Sequence, residues 1–221
     1  MADVEHGAAH HPRQQHHFYS LAQQLEASTL GMWVFLVTEV LFFGGLFMAY
    51  LVYRTEFFHD FEDASRKLDV TMGAINTVVL ICSSLTMALA VRAAQLGKRA
   101  SLLGNLVLTM VFGTVFLVVK YFEYADKFKH HHVPGPHFEG TGGEQIFFSL
   151  YFCLTGLHAA HMIIGLGLMA FILVMSWKGK YTPQWYTPVE ISGLYWHFVD
   201  IVWIFLFPLL YLIGGRYNLA G

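Results

Sequence analysis

The sequence predicts an all-α membrane protein built as a bundle of five transmembrane helices. Of its 221 residues, 56% are hydrophobic and only 13% are charged, and the mean hydropathy is +0.50. Soluble domains are far less apolar than this. Apolar runs long enough to cross a bilayer, at about 20 residues each, occur five times along the chain. These predicted spans cover residues 30–53, 71–96, 102–121, 145–177 and 191–213.

The remaining segments are polar and divide the chain into three parts. Residues 1–29 are predicted to form a His-containing N-terminal tail, 30–214 the transmembrane domain, and 215–221 a short C-terminal tail. The N-terminal tail lacks the apolar core of a signal peptide. The loop between the second and third spans is short, so these spans are predicted to form an antiparallel hairpin. The fourth span is longer than a bilayer requires, so it should tilt or project.

Charged and aromatic residues give the expected orientation. Lys and Arg divide almost evenly between the two sets of loops, so the positive-inside rule does not decide. Acidic residues concentrate on the side of the C-terminus, which favours a cytoplasmic N-terminus. Rings predicted to lie at the membrane interfaces sort to opposite surfaces, as an odd number of spans requires. They are Trp33, Trp177, Trp185 and Trp196 on the N-terminal side, and Tyr50, Tyr53, Tyr121, Tyr124, Tyr151, Tyr211 and Tyr217 on the other.

Each of the first four spans carries a stripe of small or polar residues. The stripes are Gly31, Thr38 and Gly45; then Gly73, Asn76, Thr77, Ser83 and Ser84; then Asn105, Thr109, Gly113, Lys120 and Glu123; and finally Tyr151, His158, His161 and Gly165. Small residues let membrane helices approach closely, and hydroxyls or amides bond across the interface. The stripes are therefore interpreted as packing surfaces.

The fifth span places ionisable side chains inside hydrocarbon. Four of its residues share one face of the helix, within an arc of about 80°: Glu190, Gly193, His197 and Asp200. An ionisable group at this depth costs roughly 2.5–3.5 kcal/mol unless it faces protein or water. We therefore expect this stripe to face a buried partner. We also expect Asp200 to hydrogen-bond with a histidine, either His197 or one from the fourth span.

The carboxyl of Glu39 is different from the packing residues of the first span. It lies about a third of the way into that span, and no cation is within helical reach of it. Apolar surroundings disfavour a charged carboxylate. Glu39 is thus either a structural hydrogen-bond donor or a group that handles protons, and the sequence leaves both interpretations open.

The candidate site residues are buried polar groups with either a proton-related or a structural role. They are Glu39, Glu123, His158, His161, His197 and Asp200. The i, i+3 histidines of the fourth span could hold a metal with nearby carboxylates, but the Glu-x-x-His pairs of di-metal bundles are absent. Interhelical hydrogen bonds are the favoured interpretation, and no catalytic, cofactor or metal-ligating residue is assigned. Two further His tracts are interpreted as solvated: His6, His10, His11, His16 and His17, and His130, His131, His132 and His137.

Five motifs occur in order along the chain, one or more in each part of the predicted bundle. They are Trp33–Gly45 (WVFLVTEVLFFGG), Ile75–Thr77 (INT), Glu123–Tyr124, Thr155–Gly165 and Tyr195–Phe205 (YWHFVDIVWIF). Together they resemble subunit III of the haem–copper oxidases, and most closely that of cytochrome c oxidase. The resemblance extends from about Leu25 to Gly214.

The resemblance implies an accessory subunit with no haem or copper of its own. Such a subunit packs directly against the catalytic subunit I, in a complex with subunit II, of a proton-pumping terminal oxidase of aerobic respiration. Haem and copper are then expected in the partner subunits, and phospholipid among the helices. Glu39 corresponds to the reactive buried carboxyl of the family, and the subunit is thought to sustain proton uptake into subunit I and to protect turnover. A bacterial plasma membrane is the implied location.

One departure and two alternatives accompany this interpretation. Longer family members have two further helices before the glutamate helix, so the lipid cleft beside those helices is expected to be absent or lined by another subunit. A subunit III of a quinol oxidase or nitric oxide reductase would share the fold. A stand-alone transporter or membrane metalloenzyme is the alternative from another class, although the inverted repeats typical of transporters are not visible.

Overall fold

A computed structural model describes residues 18–129, 133–135, 138 and 140–213. Within these residues the chain forms six helices: α1 (Leu21–Glu56), α2 (Phe58–Arg66), α3 (Val70–Gln95), α4 (Arg99–Lys129), α5 (Gly142–Trp177) and α6 (Thr187–Tyr211). All but α2 are long and apolar enough to cross a membrane. The described part of the chain contains no strand, only an isolated bridge between Thr182 and Trp185. The predicted all-α bundle of five transmembrane helices is confirmed.

Several helices extend beyond the predicted spans. Helix α1 begins at Leu21, inside the segment predicted to be a tail, where the hydroxyl of Ser20 accepts a hydrogen bond from the Gln23 amide at 3.1 Å. Helix α4 continues to Lys129, and the predicted loop after the first span contains α2. Hydropathy reports only the part of a helix that lies in hydrocarbon, whereas residues such as Ala, Gln, Leu and Glu continue a helix into water. The histidines of both His tracts and residues 214–221 lie outside the described residues.

Local signals explain where α3, α4 and α5 begin and end. The carboxylate of Asp69 caps α3 by accepting from the amides of Thr71 and Met72. The turn between α3 and α4 contains Gly97 at φ 67°, and the Lys98 amide donates back to the carbonyl of Ala93. This is the left-handed C-terminal turn that favours glycine, and it produces the predicted hairpin. Helix α5 starts with a capping box, in which Thr141 and Glu144 bond each other's backbone amides.

Helix α6 is central to the bundle and α1 is peripheral. Helices α3, α4, α5 and α6 form a ring in which α4 and α6 lie diagonally, and α1 packs against α5 and α6. Within their most apolar windows, 56% of α6 is buried but only 17% of α1. Side chains from α1 and α2 also cover the end of α6. The hydroxyls of Tyr50 and Ser65 donate to the carbonyls of Leu209 and Leu210 at 2.7 and 2.8 Å, which satisfies acceptors left free at a helix terminus.

The indole of Trp196 fills the centre of the ring between two glycines. Trp196 is fully buried, and its Nε1 donates to the hydroxyl of Ser83 at 2.9 Å. A Cβ added at Gly113 of α4 would lie 2.8 Å from this ring, and one at Gly165 of α5 would lie 2.9 Å from it. The stripes of α4 and α5 are therefore packing surfaces, as predicted.

The corresponding prediction for α1 is wrong. A Cβ added at Gly31 or Gly45 would meet no atom within 4 Å, and the hydroxyl of Thr38 bonds its own helix at the carbonyl of Phe35. Helix α1 packs against α2, α5 and α6, and the side that carries these residues is directed away from the other described helices.

The predicted sorting of aromatic rings is correct only in part. Trp33, Trp177 and Tyr121 are more than half exposed, as interfacial rings should be. Trp196 and Tyr211, by contrast, are buried in the bundle, as are Tyr50 and Tyr151. Each of these four side chains bonds a polar group on another helix, which explains why burial is favourable for an amphipathic ring.

The packing around Trp196 gives a test of the fold. Gly165→Ala should lower the free energy of unfolding by about 1–3 kcal/mol, because the added methyl group overlaps a large ring that cannot move aside. Gly167→Ala on the same helix is the matched control, since its Cβ would meet nothing within 4 Å and alanine favours a helix. Reversible unfolding of both variants in mixed micelles measures the difference. Equal stability of the two variants would contradict the packing described here.

Candidate functional site

The candidate residues lie in separate places in the bundle. Glu39 and His161 join α1 to α5, Glu123 belongs to a cluster between α4, α5 and α6, and His197 and Asp200 face α3. His158 contacts Phe116 of α4 and Val199 and Trp203 of α6. In the part of the chain that the structure describes, no three His, Cys, Asp or Glu side chains are grouped so that they could hold a metal ion.

The side chains of Glu39 and His161 are hydrogen-bonded to each other. Nε2 of His161 lies 3.1 Å from Oε2 of Glu39, and Nδ1 of His161 lies 2.9 Å from the carbonyl oxygen of Leu157. A carbonyl can only accept, so Nδ1 carries a hydrogen. Nε2 then either accepts a hydrogen from the protonated carboxyl or donates one, as an imidazolium, to the carboxylate. Both arrangements hold one proton in the same hydrogen bond.

Aromatic side chains surround this pair. The ring of Phe43 lies 5.3 Å from the His161 ring, and Tyr195 stacks on it at 6.5 Å. The hydroxyl of Tyr195 also donates to the backbone carbonyl of His161 at 3.2 Å. The Glu39 side chain keeps 18% of its surface exposed and that of His161 13%. The pair is thus packed among aromatic rings, yet keeps part of its surface exposed at one edge of the bundle.

The cluster around Lys120 has every charge satisfied. Its ammonium group donates to Oε2 of Glu123 at 2.9 Å and to the hydroxyls of Tyr211 and Tyr151 at 2.7 and 3.3 Å. Oε1 of Glu123 accepts from both tyrosine hydroxyls. The ammonium also lies 4.9 Å from the ring centroid of Trp203. A buried ion pair is tolerated when hydrogen bonds satisfy both partners, so this cluster holds α4, α5 and α6 together.

The polar stripe of α6 faces α3. A Cβ added at Gly193 would lie 2.9 Å from Val91 of α3, and Nδ1 of His197 lies 2.7 Å from the hydroxyl of Ser84. Asp200 is only 2% exposed and lies beside Ser84. Neither of its carboxyl oxygens, however, has a hydrogen-bond partner among the described residues.

The expectation that Asp200 bonds a histidine is wrong. His197 bonds Ser84, and His161 bonds Glu39. Nε2 of His158 donates to the backbone carbonyl of Val199 at 3.1 Å. The physical reason is direction: Asp200 is turned towards α3, whereas the two histidines of α5 diverge, one towards α6 and one towards α1. The i, i+3 spacing therefore does not bring His158 and His161 to one ligand.

Sequence reasoning missed the role of Tyr211. It was assigned to the membrane interface, but it is buried and bonded to both charges of the Lys120 cluster. The available signal was the i, i+3 spacing of Lys120 and Glu123, which places opposite charges together on one helix. Two such charges inside a span require further hydrogen-bonding groups nearby, and tyrosines near the ends of other spans are suitable.

The family model described as Cytochrome c oxidase subunit III matches residues 11–215 of this chain. The cytochrome bo(3) ubiquinol oxidase subunit 3 of Pseudomonas putida is 33% identical over 86% of this chain and 87% of its own length. The cytochrome c oxidase subunit 3 of Corynebacterium diphtheriae is 33% identical over 84% of this chain and 87% of its own length. The quinol oxidase subunit 3 of Bacillus spizizenii is 31% identical over 97% of this chain and 98% of its own length.

The match covers all five transmembrane helices, and these helices pack into one bundle in which Glu39 and His161 are hydrogen-bonded to each other. Membership of this family places the chain in a membrane complex with other oxidase subunits, and the family has no metal centre in this subunit. The chain therefore belongs to the cytochrome c oxidase subunit III family and is an accessory subunit of a haem–copper oxidase.

Proposed function

We propose that this subunit stabilises the catalytic subunit I of a proton-pumping cytochrome c oxidase and supports proton uptake into it. The observation that carries the proposal is the hydrogen bond between Glu39 and His161, at 3.1 Å. Removing the shared proton would leave a carboxylate facing the lone pair of Nε2, which is repulsive. The proton of this hydrogen bond is the one that the subunit would pass on.

The partners and location extend this proposal. Subunit I is the direct partner and subunit II belongs to the same complex, with haem and copper in those subunits and phospholipid bound at the helices. The complex lies in a bacterial plasma membrane, with the N-terminus of this chain in the cytoplasm. The closed Lys120 cluster supports the structural part of the role, because it holds three helices in a fixed arrangement for docking.

A quinol oxidase is the second candidate. The relatives from Pseudomonas putida and Bacillus spizizenii carry the names of ubiquinol and quinol oxidase subunits, whereas that from Corynebacterium diphtheriae is named for cytochrome c. The electron donor is a property of the assembled complex. Oxygen consumption by the purified complex with reduced cytochrome c and with a quinol separates the two candidates.

Assembly is the first test. Purified through this chain from its native membrane, the complex should contain a haem-bearing large subunit, identified by mass spectrometry and visible absorbance. The chain expressed alone should be colourless. A chain that never associates with a haem protein in its native membrane would refute the proposed function.

Glu39 gives the second test. In Glu39→Gln the amide still donates to Nε2 of His161, so the variant should assemble normally, but it can no longer exchange the proton. We expect lower proton release per electron, or a rate of oxygen consumption that declines during turnover, in reconstituted vesicles. Glu39→Ala removes the bond between α1 and α5 and should reduce assembly as well. Unchanged assembly and turnover in both variants would remove Glu39 from the mechanism.

The Lys120 cluster gives the third test. Lys120→Met leaves the Glu123 carboxylate buried without its cation, which should lower the free energy of unfolding by about 3–5 kcal/mol. The double variant Lys120→Met/Glu123→Leu removes both charges and should recover most of that loss. Unfolding in mixed micelles measures both. Equal losses in the single and double variants would show that the ion pair is not the stabilising element.

A further inference from the structure

Three polar side chains meet where α3 packs against α6. Ser84 of α3 and His197 and Asp200 of α6 line one groove, which has a volume of about 300 Å³ and otherwise apolar walls. His197 also lines a second groove, between α6 and α1, with a volume of about 560 Å³. The three residues belong neither to the Lys120 cluster nor to the Glu39–His161 pair, so no role described above uses them.

The hydroxyl of Ser84 lies between the other two side chains. His197 and Asp200 are three residues apart on α6, so both face the same side of the helix. The Ser84 hydroxyl lies 2.7 Å from Nδ1 of His197. The same hydroxyl also interacts with the carboxyl of Asp200, although more loosely than in a full hydrogen bond. Ser84 thus links a carboxyl to an imidazole.

The two ends of this link differ in access. Asp200 is only 2% exposed, and both of its carboxyl oxygens are enclosed by the chain. His197 is partly exposed and lines both grooves. Because Ser84 occupies Nδ1, the other ring nitrogen, Nε2, is the one left to meet a group in a groove. While the bundle stays folded, the route from Asp200 to the outside therefore passes Ser84 and His197.

No charge fixes a proton at either end of the link. The described residues place no charged side chain close enough to act on Asp200 or His197. Other acids of the surrounding helices are bonded to other partners or lie two turns away along α6: Glu39, Glu123 and Glu190. An uncompensated carboxylate is costly in apolar surroundings. The carboxyl of Asp200 is therefore favoured with its hydrogen, and that hydrogen needs an acceptor, which the oxygen of Ser84 supplies.

We propose that Asp200, Ser84 and His197 form a proton relay, a second site at which this chain holds and exchanges a proton. In one state the Asp200 carboxyl donates to the Ser84 hydroxyl, which donates to Nδ1 of a neutral His197. In the other state the carboxyl hydrogen has passed to Ser84 and the Ser84 hydrogen to Nδ1, which leaves a carboxylate and an imidazolium. Nε2 then releases its own hydrogen to a group in a groove, and the ring is neutral again with its hydrogen on Nδ1. A proton that arrives at Nε2 reverses these steps.

The relay differs from the Glu39–His161 pair in how its proton is reached. In that pair the carboxyl and the imidazole bond each other directly, and both side chains are partly exposed. In the relay the carboxyl is enclosed, and a hydroxyl connects it to the histidine. Chains of acidic and histidine side chains inside a membrane are typical of proton pathways. The relay uses residues of this chain alone, so it does not depend on the proposed function.

Hydrogen–deuterium exchange at Asp200 tests the relay. In infrared spectra, the carbonyl band of a protonated carboxyl shifts when deuterium replaces its hydrogen. The band of Asp200 is identified as the one that Asp200→Asn lacks. After transfer of the full-length chain in micelles to heavy water, this band should shift about tenfold or more slowly in Ser84→Ala than in the wild type, because exchange then waits for local opening of the helices.

Two further variants separate the relay from a purely structural contact. Ser84→Thr keeps the hydroxyl and is the matched control, so its exchange should be as fast as in the wild type. His197→Phe keeps a ring but removes both nitrogens, so its exchange should be as slow as in Ser84→Ala. Thermal unfolding shows whether each variant is folded. If His197→Phe fails to fold, the comparison of Ser84→Ala with Ser84→Thr decides alone.

Two results would overturn the relay. Exchange in Ser84→Ala that is as fast as in the wild type would show that protons reach Asp200 by another route. A spectrum in which Asp200→Asn lacks no carboxyl band would show that Asp200 carries no hydrogen to pass on. A wild-type chain found without any haem protein would instead refute the proposed function and leave the relay unaffected, since exchange is measured on this chain alone.

Discussion

The structure depends on one constraint: a polar group inside hydrocarbon needs a partner from the protein itself. The constraint explains which helices contact one another. The indole nitrogens of Trp196 and Trp203 reach back from α6 to hydroxyls on α3, at 2.9 and 3.1 Å. The charges of Lys120 and Glu123 draw tyrosines from α5 and α6. Each of these bonds joins two helices, so satisfying the polar groups and assembling the bundle are the same event.

Two kinds of polar site follow from this constraint. The Lys120 cluster is closed, since its charges and hydroxyls bond one another, and its effect is to fix the bundle. The Glu39–His161 pair differs in being partly exposed at an edge of the bundle, and Asp200 differs in that its buried carboxyl oxygens have no hydrogen-bond partner among the described residues. Closed sites suit a supporting role.

The five spans are predictable from the sequence, because residues that lie in hydrocarbon are mostly apolar and raise the local hydropathy. It could not give helix ends in water, so α2 and the first turns of α1 were missed. The spacing of polar residues shows which of them share one face of a helix, but not which other helix that face contacts. Glu39 was therefore recognised as unusual, whereas its partner His161 and the failure of Asp200 to find a histidine needed the structure. Amphipathic rings were equally ambiguous, since Tyr211 and Trp196 resemble interfacial residues in sequence but are buried.

The arrangement of the Lys120 cluster also bears on how the chain is made. Helix α4 precedes α5 and α6 in the sequence, so Lys120 and Glu123 leave the ribosome before Tyr151 and Tyr211 do. Because the two charges are three residues apart on one helix, with Nζ and Oε2 at 2.9 Å, they neutralise each other from the start of insertion. The nascent hairpin of α3 and α4 thus carries its ion pair preformed. The two later helices complete a site that already exists, which gives translation from N- to C-terminus a workable order of assembly.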